Sequence, residues 1–150
     1  MSSLEKDIQQ SRFYSEHHKA NINVLYTANW LYNKISAQLK PFGLTHEQFN
    51  VLRILRGKHP ECMCQKDILN RMIAPSSNLT LIIKKLVQKG LVTVEQSARD
   101  KREYEIHITQ PGLAKLGELD QAFASRKEPI HLLEESEAQQ LNVLLDKMRG

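Results

Sequence analysis

The sequence predicts a mainly α-helical chain with one small β-hairpin. Three observations carry that expectation. Apolar residues recur every three or four positions through most of the 150 residues, the period of a helix with a buried face. Strand character is confined to Leu91-Val92-Thr93-Val94 and to a run in which Tyr104, Ile106 and Ile108 alternate with Glu105 and His107. Between those runs, Arg99-Asp100-Lys101-Arg102 places consecutive charges at a hairpin tip. A turn needs only Gly or Asn there, with less self-repulsion, so the charges call for a reason beyond the fold.

Each element has its own signal. A first helix is expected from about Gln10 to Leu39, with Val24, Ala28, Leu31, Ile35 and Leu39 on one face and Ile22, Leu25, Tyr26 and Trp30 beside them. So wide an apolar surface needs more than one neighbour to cover it. Pro41 and Gly43 end the helix. Thr45 and Gln48 fit a capping box opening a buried helix with Phe49, Val51, Leu52, Ile54 and Leu55, which Gly57 closes. A loop from Lys58 to Met63 leads to a short helix carrying Ile68, Leu69, Met72 and Ile73. Ala74-Pro75-Ser76-Ser77-Asn78 is a stop followed by a start. The next helix turns Leu79, Ile82, Ile83 and Leu86 inward and ends at Lys89-Gly90. After the hairpin, Thr109 caps a helix with Pro111 in its first turn and Leu113, Leu116, Leu119 and Phe123 along it, until Pro129 breaks it. A last helix carries Ala138, Leu141, Leu144, Leu145 and Met148.

Composition restricts the class. Hydrophobic residues make up 41% and charged residues 25%, ordinary values for a soluble globular domain. No apolar run approaches the ~20 residues of a membrane span, and Met1–Asp7 lacks the apolar stretch of a signal peptide. The expectation is a cytoplasmic protein whose two cysteines are reduced, with no membrane partner. The net charge of +4 is unevenly spread: residues 53–102 hold eleven basic and four acidic residues, a surplus of +7, leaving −3 for the rest. A basic middle between neutral-to-acidic ends is the footprint of a polyanion site.

Two helices joined by a short turn and followed at once by a charged hairpin are the order of a helix-turn-helix with a wing. The second helix of such a pair presents its N-terminal residues to base edges, here Ser76, Ser77, Asn78 and Thr80. These are short hydrogen-bonding side chains, and asparagine can bond adenine through two hydrogen bonds. The wing then answers the question of the charged tip. Arg99 and Lys101 suit the narrow, negative minor groove of A·T-rich DNA, while Asp100 is expected to hold Arg102 or another cation in place. No nucleophile–base set, phosphate loop or cofactor motif is present, so no enzyme activity and no cofactor are expected. The six histidines show no metal-ligand spacing with acids or cysteines, and no metal is expected.

Leu44-Thr45 through Val51-Leu52, Lys66-Asp67-Ile68, Leu79-Thr80 through Lys85-Leu86, Lys89-Gly90-Leu91-Val92, Asp100-Lys101-Arg102 and Ile108-Thr109-Gln110-Pro111-Gly112 together resemble the MarR family of winged helix-turn-helix regulators, named for multiple antibiotic resistance. The resemblance covers nearly the whole chain. It implies a homodimer with an N-terminal dimerisation helix (1–43), a winged helix-turn-helix (44–109) and C-terminal dimerisation helices (110–150). It implies a pseudo-palindromic operator, a repressor released by a small ligand, recognition contacts at Ser76, Ser77, Asn78, Thr80 and Lys84, and a wing arginine at Arg102 partnered by Asp100. Leu81 departs from the basic residue many relatives carry there. The family's crevice for phenolic or amphipathic effectors would be lined by Tyr26, Trp30, Phe49 and Arg53.

Two alternatives stay open. Cys64 stands where relatives often have a hydroxyl cap at a helix start, a position that can lower a thiol's pKa. With Cys62 nearby it could make the chain a thiol redox sensor, although so short a spacing strains a disulfide. The other alternative is a winged-helix module that binds protein and not DNA.

Overall fold

The computed structural model describes residues 2–125 and 132–150. Two compact units divide the chain, Met1–His46 and Glu47–Gly150.

The first unit holds α1 (Leu4–Asp7), α2 (Glu16–Leu39) and a 3-10 turn (Lys40–Phe42). The long helix thus begins six residues later than its sequence suggests. The cause is a cap: Ser15 is extended, and its Oγ accepts from the His18 N–H at 3.1 Å. The residues before it include Gln9 at φ +54° and the short α1, whose four residues are too few to show a period. Glu5 of α1 pairs with Lys19 of α2, which lowers the Glu5 pKa and raises that of Lys19. Pro41 sits in the 3-10 turn and Gly43 turns the chain at φ +69°. Only Leu39 of α2 is buried.

The second unit contains α3 (His46–Lys58, entering from His46), α4 (Gln65–Arg71), α5 (Leu79–Gln88), β1 (Val92–Gln96), β2 (Tyr104–Ile108), α6 (Gln110–Ala124) and α7 (Glu135–Arg149). Its core is built from Val51, Leu52, Leu55, Ile68, Leu86, Val92, Ile106, Leu116 and Leu119, all essentially inaccessible. Phe49 meets Phe123 edge-on at 5.7 Å, and Arg56 forms an ion pair with Asp120 at 2.6 Å, joining α3 to α6. Gln48, buried in α3, accepts from the Lys89 ammonium at 3.0 Å. α3 runs one residue past Gly57.

The helix expected to carry Ile73 stops at Arg71, and Ile73 is exposed. Its N–H is taken by Asn50 Oδ1 at 3.0 Å, from α3, so the turn is fixed by tertiary bonding and not by continued helix. α5 then buries Leu79, Ile83 and Leu86 with Ile82 half-buried, the stripe that its spacing predicts. Its end is a Schellman motif: Leu91 N–H donates to the Leu86 carbonyl at 3.0 Å, Gly90 N–H to that of Val87 at 2.9 Å, and Gly90 adopts φ +71°.

β1 and β2 pair antiparallel in the register Val92↔Ile108, Val94↔Ile106 and Gln96↔Tyr104. Met63 bridges the other edge of β2 through two hydrogen bonds with Ile106, at 3.0 and 2.9 Å. Thr109 caps α6 as its position predicts: its Oγ1 accepts from Gly112 N–H at 3.1 Å and donates to the Gly90 carbonyl at 2.7 Å. The break expected at Pro129 lies outside the described residues. α7 opens with a capping box, Glu134 N–H donating to the Glu137 carboxylate at 2.8 Å, and buries none of its side chains. Among the described residues no helix is long and apolar enough to cross a membrane.

Candidate nucleic-acid interface

α5 has two faces. Opposite its buried stripe stand Thr80, Leu81, Lys84 and Lys85, all exposed. Ser76, Ser77 and Asn78, expected within its first turn, precede its first residue, Leu79. Asn78 occupies the N-cap position, but its side chain makes no capping bond. The turn is tied instead by Ser76, whose Oγ accepts from Asn78 N–H at 3.1 Å. Ser77 and Asn78 are exposed and Ser76 is half-buried. Thr80 donates to the Gln65 side-chain oxygen at 3.2 Å, which links the outer face of α5 to the start of α4.

The wing tip is built on Ser97, a polar residue only 6% exposed. Its N–H donates to the Glu103 carbonyl at 2.9 Å, and its hydroxyl accepts from Arg99 N–H at 3.2 Å. Asp100 organises the far side. Its carboxylate accepts from Arg102 three times, from the backbone N–H at 2.9 Å, Nε at 3.2 Å and Nη2 at 3.1 Å. Those bonds, the side chain's before the backbone's, hold the Asp100 pKa below the usual aspartate value. The Arg102 side chain is nevertheless 90% exposed, so its position is set while its charge faces outward. Arg99 and Lys101 are exposed beside it.

The remaining residues singled out by sequence lie in two places. Tyr26 and Trp30 of the first unit line a pocket of about 630 Å³ together with Leu4, Lys19, Asn23 and Thr27. Phe49 and Arg53 of the second unit stack as a pair, with the guanidinium carbon 5.7 Å from the ring centroid.

Cys62 and Cys64 are free and half-buried. Cys64 is the N-cap of α4, as expected, but its thiol makes no capping bond. Burial, and then the charge of Glu105, raise the Cys62 pKa and keep this thiol protonated. The cysteine motif has neighbours that the sequence does not announce. Ligand atoms of Cys62, Glu105 and His107 all lie within 4.8 Å of one another, a grouping made only by the bridge from Met63 to β2. The sequence offers no signal for it beyond the alternation of Glu105 and His107 about Ile106. Asn50, Gln65 and Ser97, which hold the turn, α5 and the wing, are also silent in sequence.

A helix with an inward apolar stripe and an outward polar face, preceded by a pinned turn and followed by a cationic hairpin, defines a winged helix-turn-helix. Comparison with known proteins gives the same class and a family. Residues 44–104 match the MarR family. The chain is 33% identical over 109 residues to YkoM of Bacillus subtilis, an uncharacterized HTH-type transcriptional regulator, covering 72% of this chain and 70% of that one. A MarR transcription factor from Planctomyces limnophilus superposes with TM-score 0.63 at 27% identity, covering 92% and 98% of the two chains. A mutant MarR from E. coli, complexed with operator DNA, superposes with TM-score 0.80 at 23% identity, covering 92% and 99%. The chain belongs to the MarR family of transcriptional regulators, which are not enzymes.

Proposed function

We propose that the chain is a homodimeric repressor that binds a pseudo-palindromic operator and is released by a small amphipathic ligand. The observation that carries the DNA-binding part is Arg102, oriented by three hydrogen bonds to Asp100 yet 90% exposed, on the hairpin that follows the polar face of α5. In this reading α5 enters the major groove. Asn78 bonds an adenine edge, Ser77 and Thr80 add hydroxyl contacts, and Ser76 and Lys84 meet phosphates. Arg99, Lys101 and Arg102 lie along the adjacent minor groove. That a structural relative, a mutant MarR of E. coli, is complexed with operator DNA supports DNA as the partner. Two copies joined through residues 1–43 and 110–150 would carry two winged helix-turn-helices (44–109), which asks for a two-fold operator. The ligand would be taken up in the first unit, in the pocket lined by Tyr26 and Trp30.

Selection of bound sequences from random duplex DNA tests the reading. Enrichment of an inverted repeat, weakened steeply by salt, is the expected result. A salt-insensitive protein partner with no DNA enrichment would point to the protein-binding module instead. Cys64, at the start of α4, is the place for a thiol switch. That second reading requires operator affinity to fall with peroxide in the parent and to be indifferent to it in Cys64→Ser.

A further inference from the structure

Cys62 and Cys64 flank Met63 as Glu105 and His107 flank Ile106, and Met63 and Ile106 bond each other across the strands. Side chains alternate in extended chain, so Met63 and Ile106 are buried in the core while their neighbours turn to the other face. There the thiol of Cys62, a carboxylate oxygen of Glu105 and a ring nitrogen of His107 converge within 4.8 Å, all three residues half-buried. Two further facts set this cluster apart from a surface accident. Among the described residues, His107 Nε2 is a buried polar atom with no hydrogen-bond partner, which is costly for a group that prefers to be bonded. Glu95 also stands directly across the hairpin from Glu105, a like-charge pair that is unfavourable without a cation.

We propose that Cys62, Glu105 and His107 form a binding site for a thiophilic divalent cation, Zn2+ by its donor set. One thiolate, one imidazole and one carboxylate suit zinc and are poor for the hard cations, which take oxygen ligands. Donor atoms around a tetrahedral zinc stand roughly 3.3–3.6 Å apart, from bond lengths of about 2.0–2.3 Å, so small side-chain rotations close the cluster onto a metal. Three protein ligands leave a fourth position to water. On binding, the Cys62 thiol gives up its proton to solvent as its sulfur takes the metal. The consequence for the fold is a clip: a side-chain tie through the metal would reinforce the backbone bridge that already joins the loop before α4 to β2 of the wing. Metal would thereby further fix the first helix of the helix-turn-helix relative to the wing.

The test uses the full-length, reduced, chelator-stripped chain titrated with Co2+ and followed by absorption. The expected result is a thiolate-to-cobalt band in the near ultraviolet with the visible bands of tetrahedral cobalt, saturating at one ion per chain and bleached by Zn2+. Cys62→Ser should abolish the thiolate band, and Cys64→Ser should keep it. His107→Gln and Glu105→Gln, which retain the thiol, should each weaken Zn2+ at least tenfold in competition with a chromophoric chelator. Helical circular dichroism confirms that each variant is folded. Absence of the thiolate band in the parent, its survival in Cys62→Ser, or unchanged Zn2+ affinity in the folded His107→Gln protein overturns the site. The readout needs no DNA, so a failure of operator binding would leave it standing.

Discussion

A Cβ built on Gly112 would lie 2.4 Å from the Leu91 carbonyl oxygen and 2.7 Å from Ile108 Cγ1. The obstacle is partly backbone, so a side chain there must move the start of α6 away from the wing. Gly112→Ala should therefore destabilise the protein by about 1–3 kcal/mol, in the range of overpacked cores. Gly57→Ala is the control: among the described residues nothing lies within 4 Å of its Cβ position in α3, and loss of glycine's backbone freedom should stabilise by about 0.5–1 kcal/mol. Urea midpoints at one fixed protein concentration would show opposite shifts, and equal shifts would contradict the packing at Gly112. Asp100 permits a second test at this scale. As a bare negative charge near DNA it would oppose binding, and Asp100→Ala would then tighten the operator complex. As the partner that orients Arg102 it does the reverse, so we expect Asp100→Ala to weaken the complex in fluorescence anisotropy at fixed salt. Its depressed pKa sets the pH range of that tie. The tie is complete above the ordinary aspartate value and is lost only as pH falls through the lower folded value, so acidification to about pH 5 should not loosen the wing through Asp100.

At the scale of elements, the proposed binding mode gives α5 and the hairpin different tasks, which mutation can separate. Asn78→Ala should cost about 1–3 kcal/mol on the preferred operator and relax preference at one or two base pairs. Arg99→Ala and Arg102→Ala should weaken binding across sequences, each lowering the salt slope by about 0.9 because one phosphate fewer is neutralised. An Asn78→Ala loss that is equal on random DNA would move base reading to Ser77 or Thr80. These elements are also where the sequence is most readable. The α5 stripe follows from apolar spacing alone, the α6 start from Thr109 and Pro111, and the wing from alternation and a charged tip. The start of α2 is harder, because Gln10–Tyr14 are not incompatible with helix and only the Ser15 cap decides. Ile73 misleads for a similar reason: it continues the apolar period of α4, but Asn50 takes its N–H. The cluster of Cys62, Glu105 and His107 is not legible at all, since the residues that meet are more than forty positions apart and are joined by one bridge. Local patterns specify helices and turns; pairing between distant segments leaves no periodic trace.

At the scale of the whole molecule the apolar surface asks for a partner. α7 buries none of its side chains, and Val143, Leu144 and Met148 are 66%, 55% and 51% exposed. α2 leaves Leu25 72% exposed and Trp30 and Tyr32 about two-fifths exposed, at 37% and 42%. So many large apolar side chains on two helices are more than scattered surface hydrophobics explain, and the proposed pairing of two copies through these helices would cover them. Such an assembly unfolds with dissociation, so its thermal midpoint should rise with protein concentration. Leu144→Glu isolates the interface. Leu144 is not part of the core of one chain, so the charge should leave the winged lobe folded by circular dichroism. Buried against a second copy, the same carboxylate would lack a partner and be desolvated, and sedimentation should show a monomer whose operator affinity falls because it can hold only one half-site at a time. A Leu144→Glu protein that remains a dimer and keeps full operator affinity would place the subunit interface elsewhere than on α7.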